Sequence, residues 1–181
     1  MLQSMSLLFF FISSLFTTDL IAQPAPGIQL DDFKPLSGLY QGTLTYRDYS
    51  SDKIVTLQTV SNVSFDEKSM NIKILINEWG KDYTQNYNYK IKNGALVNNG
   101  AWDTESIDKG EEGKLRLVVT QKGKDGNKNR PCIFRVTFDG DDQHFSITKE
   151  VRFLDEADFF IRNRYTFQRI NELNPDTSDF K

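Results

Sequence analysis

The sequence predicts an all-β protein, an antiparallel up-and-down β-barrel of eight to nine strands. Three observations predict it. From residue 38 onward apolar residues recur with a period of two, not 3.6. These runs return about every 12 to 16 residues, with turn signals between them, several of which hold Asn-Gly or Asp-Gly pairs. No segment between them carries a helical period.

The runs follow in order. LYQGTLTYRD alternates Tyr40, Leu44 and Tyr46 against Thr43, Thr45 and Arg47. KIVTLQTVSNVSF alternates less clearly but is rich in β-branched residues, which suit a pleated surface. MNIKILIN sets Met70, Ile72, Ile74 and Ile76 on one face. YTQNYNYKI brings Tyr83, Tyr87, Tyr89 and Ile91 together, opposite Asn86, Asn88 and Lys90. A short strand is expected around Ala95–Trp102. KLRLVVT sets Leu115, Leu117 and Val119 inward, and CIFRVTF does the same with Phe134, Val136 and Phe138. HFSITKEVRF offers Phe145, Ile147, Val151 and Phe153, and FIRNRYTFQR offers Ile161, Tyr165 and Phe167.

Strands with one apolar and one polar face need a shared interior. An open sheet of this size would leave two edges and one apolar face in water; closure into a barrel removes both problems. A two-sheet sandwich is the competing solution. The short connections favour the barrel, because a Greek key needs longer crossings.

The ends of the chain differ in composition. Residues 1–22 (MLQSMSLLFFFISSLFTTDLIA) hold an apolar run from Leu7 to Phe16, followed by Asp19 and the small residue Ala22. That run matches a secretory signal and is too short for a membrane span of about 20 apolar residues. One departure from the signal pattern is that the n-region has no Lys or Arg; no Cys follows the run, so a lipid anchor is not expected. Residues 23–36 read as a Pro-rich leader or linker, 37–169 as the barrel, and 170–181 as a polar C-terminal tail. The expected location is therefore secreted or periplasmic, with no stable membrane span after cleavage.

Net charge is −3 with Lys and Arg dispersed among Asp and Glu, which gives no electrostatic footprint for nucleic acid. Cys132 is the only cysteine, so no intramolecular disulfide can form; its phase with Phe134 and Phe138 reads as a small buried hydrophobe. His144, the only histidine, falls on the polar phase of its strand. No nucleophile–base constellation or zinc set can be assembled from this inventory. The acidic pairs Asp31/Asp32, Glu111/Glu112 and Asp141/Asp142 fall in the leader or in turns. DGNKN at 125–129 opens like a calcium loop but has Arg130 where Gly is required and lacks the closing Glu, so it reads as a hairpin turn. The expectation is a monomeric, non-enzymatic protein without a cofactor.

Gly38-Leu39-Tyr40 on the first strand resembles the Gly-x-Trp signature that opens the barrel of the calycin superfamily, the lipocalins and their kin, with Tyr in place of Trp. In that family an Arg on the last strand packs over the ring at the closed end. Arg162 or Arg164 in FIRNRYTF is similar to it. The resemblance covers about residues 37–169 and implies a small barrel holding a ligand in its mouth.

The candidate interior follows from the strand phases: Tyr40, Leu44, Tyr46, Ile72, Ile74 and Ile76, with Tyr87 and Tyr89 opposite them. Phe134, Phe138, Phe145, Ile147 and Tyr165 complete the far wall. Tyrosine hydroxyls within an apolar wall suit a small apolar or amphipathic molecule. The same residues could instead pack as a filled core, in which case the barrel would be a structural or protein/glycan interaction module at the cell envelope. That alternative expects an exposed aromatic patch, around Trp79 and Trp102. Arg162 and Arg164 are open to a third role, binding an anion or pairing with Glu150 across strands.

Overall fold

A computed structural model of the protein describes residues 27–171, apart from residue 112. The expected signal (1–22), the start of the leader and the tail from 172 onward lie outside the described residues. Alternating sequence produces ten antiparallel strands: β1 Gly38–Arg47, β2 Ile54–Phe65, β3 Ser69–Glu78, β4 Lys81–Lys92 and β5 Ala95–Val97. The second half adds β6 Asp103–Lys109, β7 Leu115–Asp125, β8 Arg130–Gly140, β9 His144–Phe153 and β10 Phe160–Ile170. They form one sheet in the order β5-β4-β3-β2-β1-β10-β9-β8-β7-β6, an up-and-down meander whose only non-sequential neighbours are β1 and β10.

The sheet curls into a nearly closed barrel. Its two ends meet through a bridge between Val97 and Ala101 and through the Trp102 N–H donating to the Leu96 carbonyl at 2.8 Å. β5 pairs only with Lys90–Lys92, and β6 reaches only as far as Thr120 on β7. The seam is therefore closed low in the barrel and left without a pairing strand higher up.

The count is ten rather than eight to nine because β6 was not expected. Its sequence DTESIDK holds one apolar residue, Ile107, so it shows no alternation. It is a strand because β7 supplies a ladder for it, which is pairing context and not propensity.

The lower interior is solid. Met70, Ile72, Ile74, Leu117, Phe138, Phe145 and Phe167 are fully buried in one cluster. Three residues ahead of the barrel join it: Ile28, Phe33 and Leu36. The last two lie on a 3-10 helix, Leu30–Leu36, in the stretch that reads from sequence as linker. The Phe33 ring meets Phe138 edge-on at 6.0 Å, and Asp32 pairs with Lys109 at 2.7 Å. The helix caps one end of the barrel.

At that closed end Tyr40 is buried beside Phe145 and Phe167, with ring centroids at 6.1 and 6.3 Å. Its hydroxyl donates to the Leu36 carbonyl at 2.9 Å. The arginine over its ring is Arg169, with Cζ 5.0 Å from the centroid and Nη2 2.9 Å from the hydroxyl. Arg169 also donates to the carbonyls of Pro35, Ser37 and Asp142, tying helix, β1 and the β8–β9 turn together. Neither Arg162 nor Arg164 closes the barrel, which corrects the expectation for both. β10 starts at the open end and reaches Tyr40 only at its own end, where the register pairs Tyr40 with Arg169.

Gly38 is needed in this arrangement. Its φ is +149°, and a Cβ there would overlap the Arg169 guanidinium.

Candidate functional site

The opposite end of the barrel is open. A pocket of about 390 Å³ enters there, a volume within the range of small-molecule sites. Its floor is apolar: Leu44 on β1, Leu57 on β2 and Ile76 on β3. Tyr46, Tyr87 and Tyr165 form much of its wall.

The wall is organised by a residue that sequence phase should have flagged. Gln85 stands on the inward phase of β4, opposite Ile74. Its Oε1 accepts from the hydroxyls of Tyr87 at 2.6 Å and Tyr165 at 2.7 Å. Tyr46 donates to Glu78 at the rim, 3.2 Å away. Polar handles in an apolar wall are thus held in place by partners on the same strand or on strands across the barrel.

Of the thirteen candidate interior residues, Leu44, Tyr46, Ile76, Tyr87 and Tyr165 line the mouth. Tyr40, Ile72, Ile74, Phe138, Phe145 and Ile147 belong to the solid core. Tyr89 lies between the two, stacked under Tyr87 at 6.1 Å and edge-on to Phe138 at 5.3 Å. Phe134 lies over Gly123, where a Cβ would overlap its ring, and carries the Lys149 ammonium 3.9 Å above its centroid.

Lys149 is the second residue missed. HFSITKEVRF places it in phase with Ile147 and Val151, so it points into the mouth, and burial pushes its pKa down. Arg162, a candidate for the closure, stands at the mouth instead. A register shift between Ile161 and Asn163 inserts one residue into β10 and turns Arg162 inward, leaving Ile161 outside and exposed. Arg162 then lies 3.4 Å from Asp125, with side chains only 7% and 6% exposed. The Tyr49 ring covers the guanidinium at 3.0 Å, and its hydroxyl donates to Asp125 at 2.7 Å. One oxygen of Asp125 and Nη2 of Arg162 have no hydrogen-bond partner. Arg164 stays outside and donates to Thr148; Glu150 is taken by Arg135 at 2.8 and 3.0 Å.

A larger depression of about 720 Å³ lies on the outer wall over β6 to β10. Most of its charges answer one another, Arg116 with Asp139 and Arg135 with Glu150, so it offers few unmet groups to a ligand. Cys132 is buried, and burial raises its thiol pKa; His144 is exposed beside Asp141. No cluster of metal-ligating side chains occurs among the described residues.

The tyrosines give a pH expectation. Burial raises the pKa of Tyr87, Tyr89 and Tyr165, and burial with the Asp125 hydrogen bond pushes Tyr49 up to about 12. A phenol that holds its proton more tightly when folded stabilises the fold fully below its ordinary value of 10.0. That stability is lost as pH rises through the raised folded value. Ultraviolet titration of the phenolate band is expected to show Tyr87, Tyr89 and Tyr165 ionising only together with loss of the fold. Titration of all tyrosines near their ordinary value in a folded protein would contradict this placement.

Compared with known proteins, the chain matches no protein-family model, and no curated protein resembles it in sequence at a significant level.

Proposed function

We propose that this protein is a secreted or periplasmic, lipocalin-like carrier that binds a small apolar or amphipathic molecule in the open mouth of its barrel. The carrying observation is the mouth itself, an apolar floor of Leu44, Leu57 and Ile76 beneath tyrosines held by Gln85. Core residues fill the closed half of the barrel, and the pocket opens in the other half. The Gly38, Tyr40 and Arg169 closure at the far end favours a lipocalin-like architecture over an unrelated barrel.

Native mass spectrometry of protein purified from its own source tests this. A reproducible bound mass is expected in wild type and absent from Leu57→Trp, whose indole would fill the mouth. Wild type free of any bound mass, and unable to take one up from a lipid or metabolite extract, would refute a carrier.

One observation favours the interaction-module reading as a second. Every exposed large hydrophobic among the described residues lies at or near the open end: Tyr49, Ile54, Trp79, Tyr83, Leu154 and Ile161. Trp79 is 80% exposed at the β3–β4 turn, whereas Trp102 packs against the core. A rim of this kind suits contact with an apolar surface around the mouth.

A further inference from the structure

The mouth holds an ammonium that forms no ion pair with a described carboxylate. Four charged side chains line it: Arg47, Glu78, Lys149 and Arg162. Arg47 is paired with Asp52 at 3.3 Å, on the outside. Arg162 faces Asp125, whose other oxygen accepts from Tyr49. Glu78, on β3 at the part-exposed rim, accepts from Tyr46. Lys149 lies over the face of Phe134 with no described carboxylate within ion-pair distance, and Asp125 favours its charge only from farther off.

An ammonium taken out of water over an aromatic ring loses hydration that the ring replaces only in part. Two residues away along β9, on either side of Lys149, the same wall carries the aliphatic residues Ile147 and Val151. Arg162 lies at the same wall with its charge paired to Asp125, which leaves Lys149 as the cation there without an ion-pair partner among the described residues. On the opposite wall, Glu78 disfavours an anion at the rim.

We propose that the ligand is a small amphipathic monoanion, whose carboxylate-type group meets the Lys149 ammonium while its apolar body lies on Leu44, Leu57 and Ile76. This rests on the ligand-binding reading above and narrows it from amphipathic to anionic. In the low-dielectric mouth such a contact is stronger than at a surface and replaces the water interactions the ammonium lost. The volume of about 390 Å³ sets the size of the body at a fused-ring or short-chain molecule.

The test uses two fluorescent probes that share one aromatic framework, 1-anilinonaphthalene-8-sulfonate and the neutral N-phenyl-1-naphthylamine. Wild type is expected to bind the sulfonate about tenfold or more tightly than the neutral probe. Lys149→Met is expected to abolish that preference and leave neutral-probe affinity within about twofold, while Lys149→Arg retains it. Thermal melts confirm that each variant is folded, with Lys149→Gln as a second neutral replacement.

Equal affinity of wild type for both probes, or equal losses of both in Lys149→Met, overturns the anionic inference and leaves the binding reading standing. Failure of both probes to bind, or binding that persists in a folded Leu57→Trp variant, overturns both.

Discussion

Tyr40→Ala is expected to lower the unfolding free energy by about 3–5 kcal/mol, the range for removing a large buried aromatic side chain. The ring is fully buried and sits where three parts of the chain converge: the 3-10 helix, the first strand and the end of the last. Truncation removes contacts with Phe145 and Phe167, and it also takes the hydroxyl donor from the Leu36 carbonyl and one of two acceptors from Arg169 Nη2, which keeps the Pro35 carbonyl. Tyr40→Phe separates the two contributions. It keeps the ring and is expected to cost about 1–2 kcal/mol, the scale of hydrogen bonds left unmade in a buried site. Urea unfolding measures both. Against a typical total of about 5–15 kcal/mol, the alanine variant is expected to be close to the limit of folding at 37 °C. A loss below about 0.5 kcal/mol would mean that the ring does not hold the closed end.

That closed end also shows how far sequence alone reaches. Tyr40 was legible as a plug because Gly38 and the strand phase point to it. Its arginine was not, because register decides which residue of β10 arrives opposite Tyr40, and register depends on strand ends that apolar patterning leaves loose. The mouth shows the same limit from another side. Leu44, Tyr46, Tyr87 and Tyr165 follow from simple alternation. Gln85 and Lys149 stand in the same phase as their apolar neighbours, but a polar residue in an apolar row reads as an interruption until its surroundings are known. Arg162 could not be placed by phase at all, since one inserted residue reverses the side to which it points. Ile28, Phe33 and Leu36 carry no periodicity, and only the shape of the barrel end explains why they are buried. The core follows local pattern, whereas the polar residues of the mouth depend on contacts between distant strands.

Gly42→Ala is expected to be as damaging as the loss of Tyr40, for the opposite reason. β1 lies between β2 and β10, and Gly42 pairs with Thr59 on one side and Phe167 on the other. A Cβ at Gly42 would overlap the Thr166 carbonyl oxygen and lie 2.9 Å from the Phe167 Cα. Both are backbone atoms, so no rotamer change relieves the clash. Either β10 moves away from β1 and weakens the ladder that joins the first and last strands, or β1 bends and disturbs Tyr40 and Leu44 beside it. Overpacking of this kind costs about 3 kcal/mol or more when the obstruction cannot rotate aside. Gly110→Ala is the control: there the nearest atom is the Lys114 Cβ at 3.1 Å, in an exposed turn, and the expected change is within about 1 kcal/mol. Gly123→Ala falls between them, because the Phe134 ring it meets is a side chain that can tilt toward the mouth. If equilibrium unfolding ranks Gly42→Ala no lower in stability than Gly110→Ala, the close approach of β1 and β10 is wrong. If the ranking holds, the second glycine of SGLYQGTLTYRDY is where the barrel's first and last strands are drawn together.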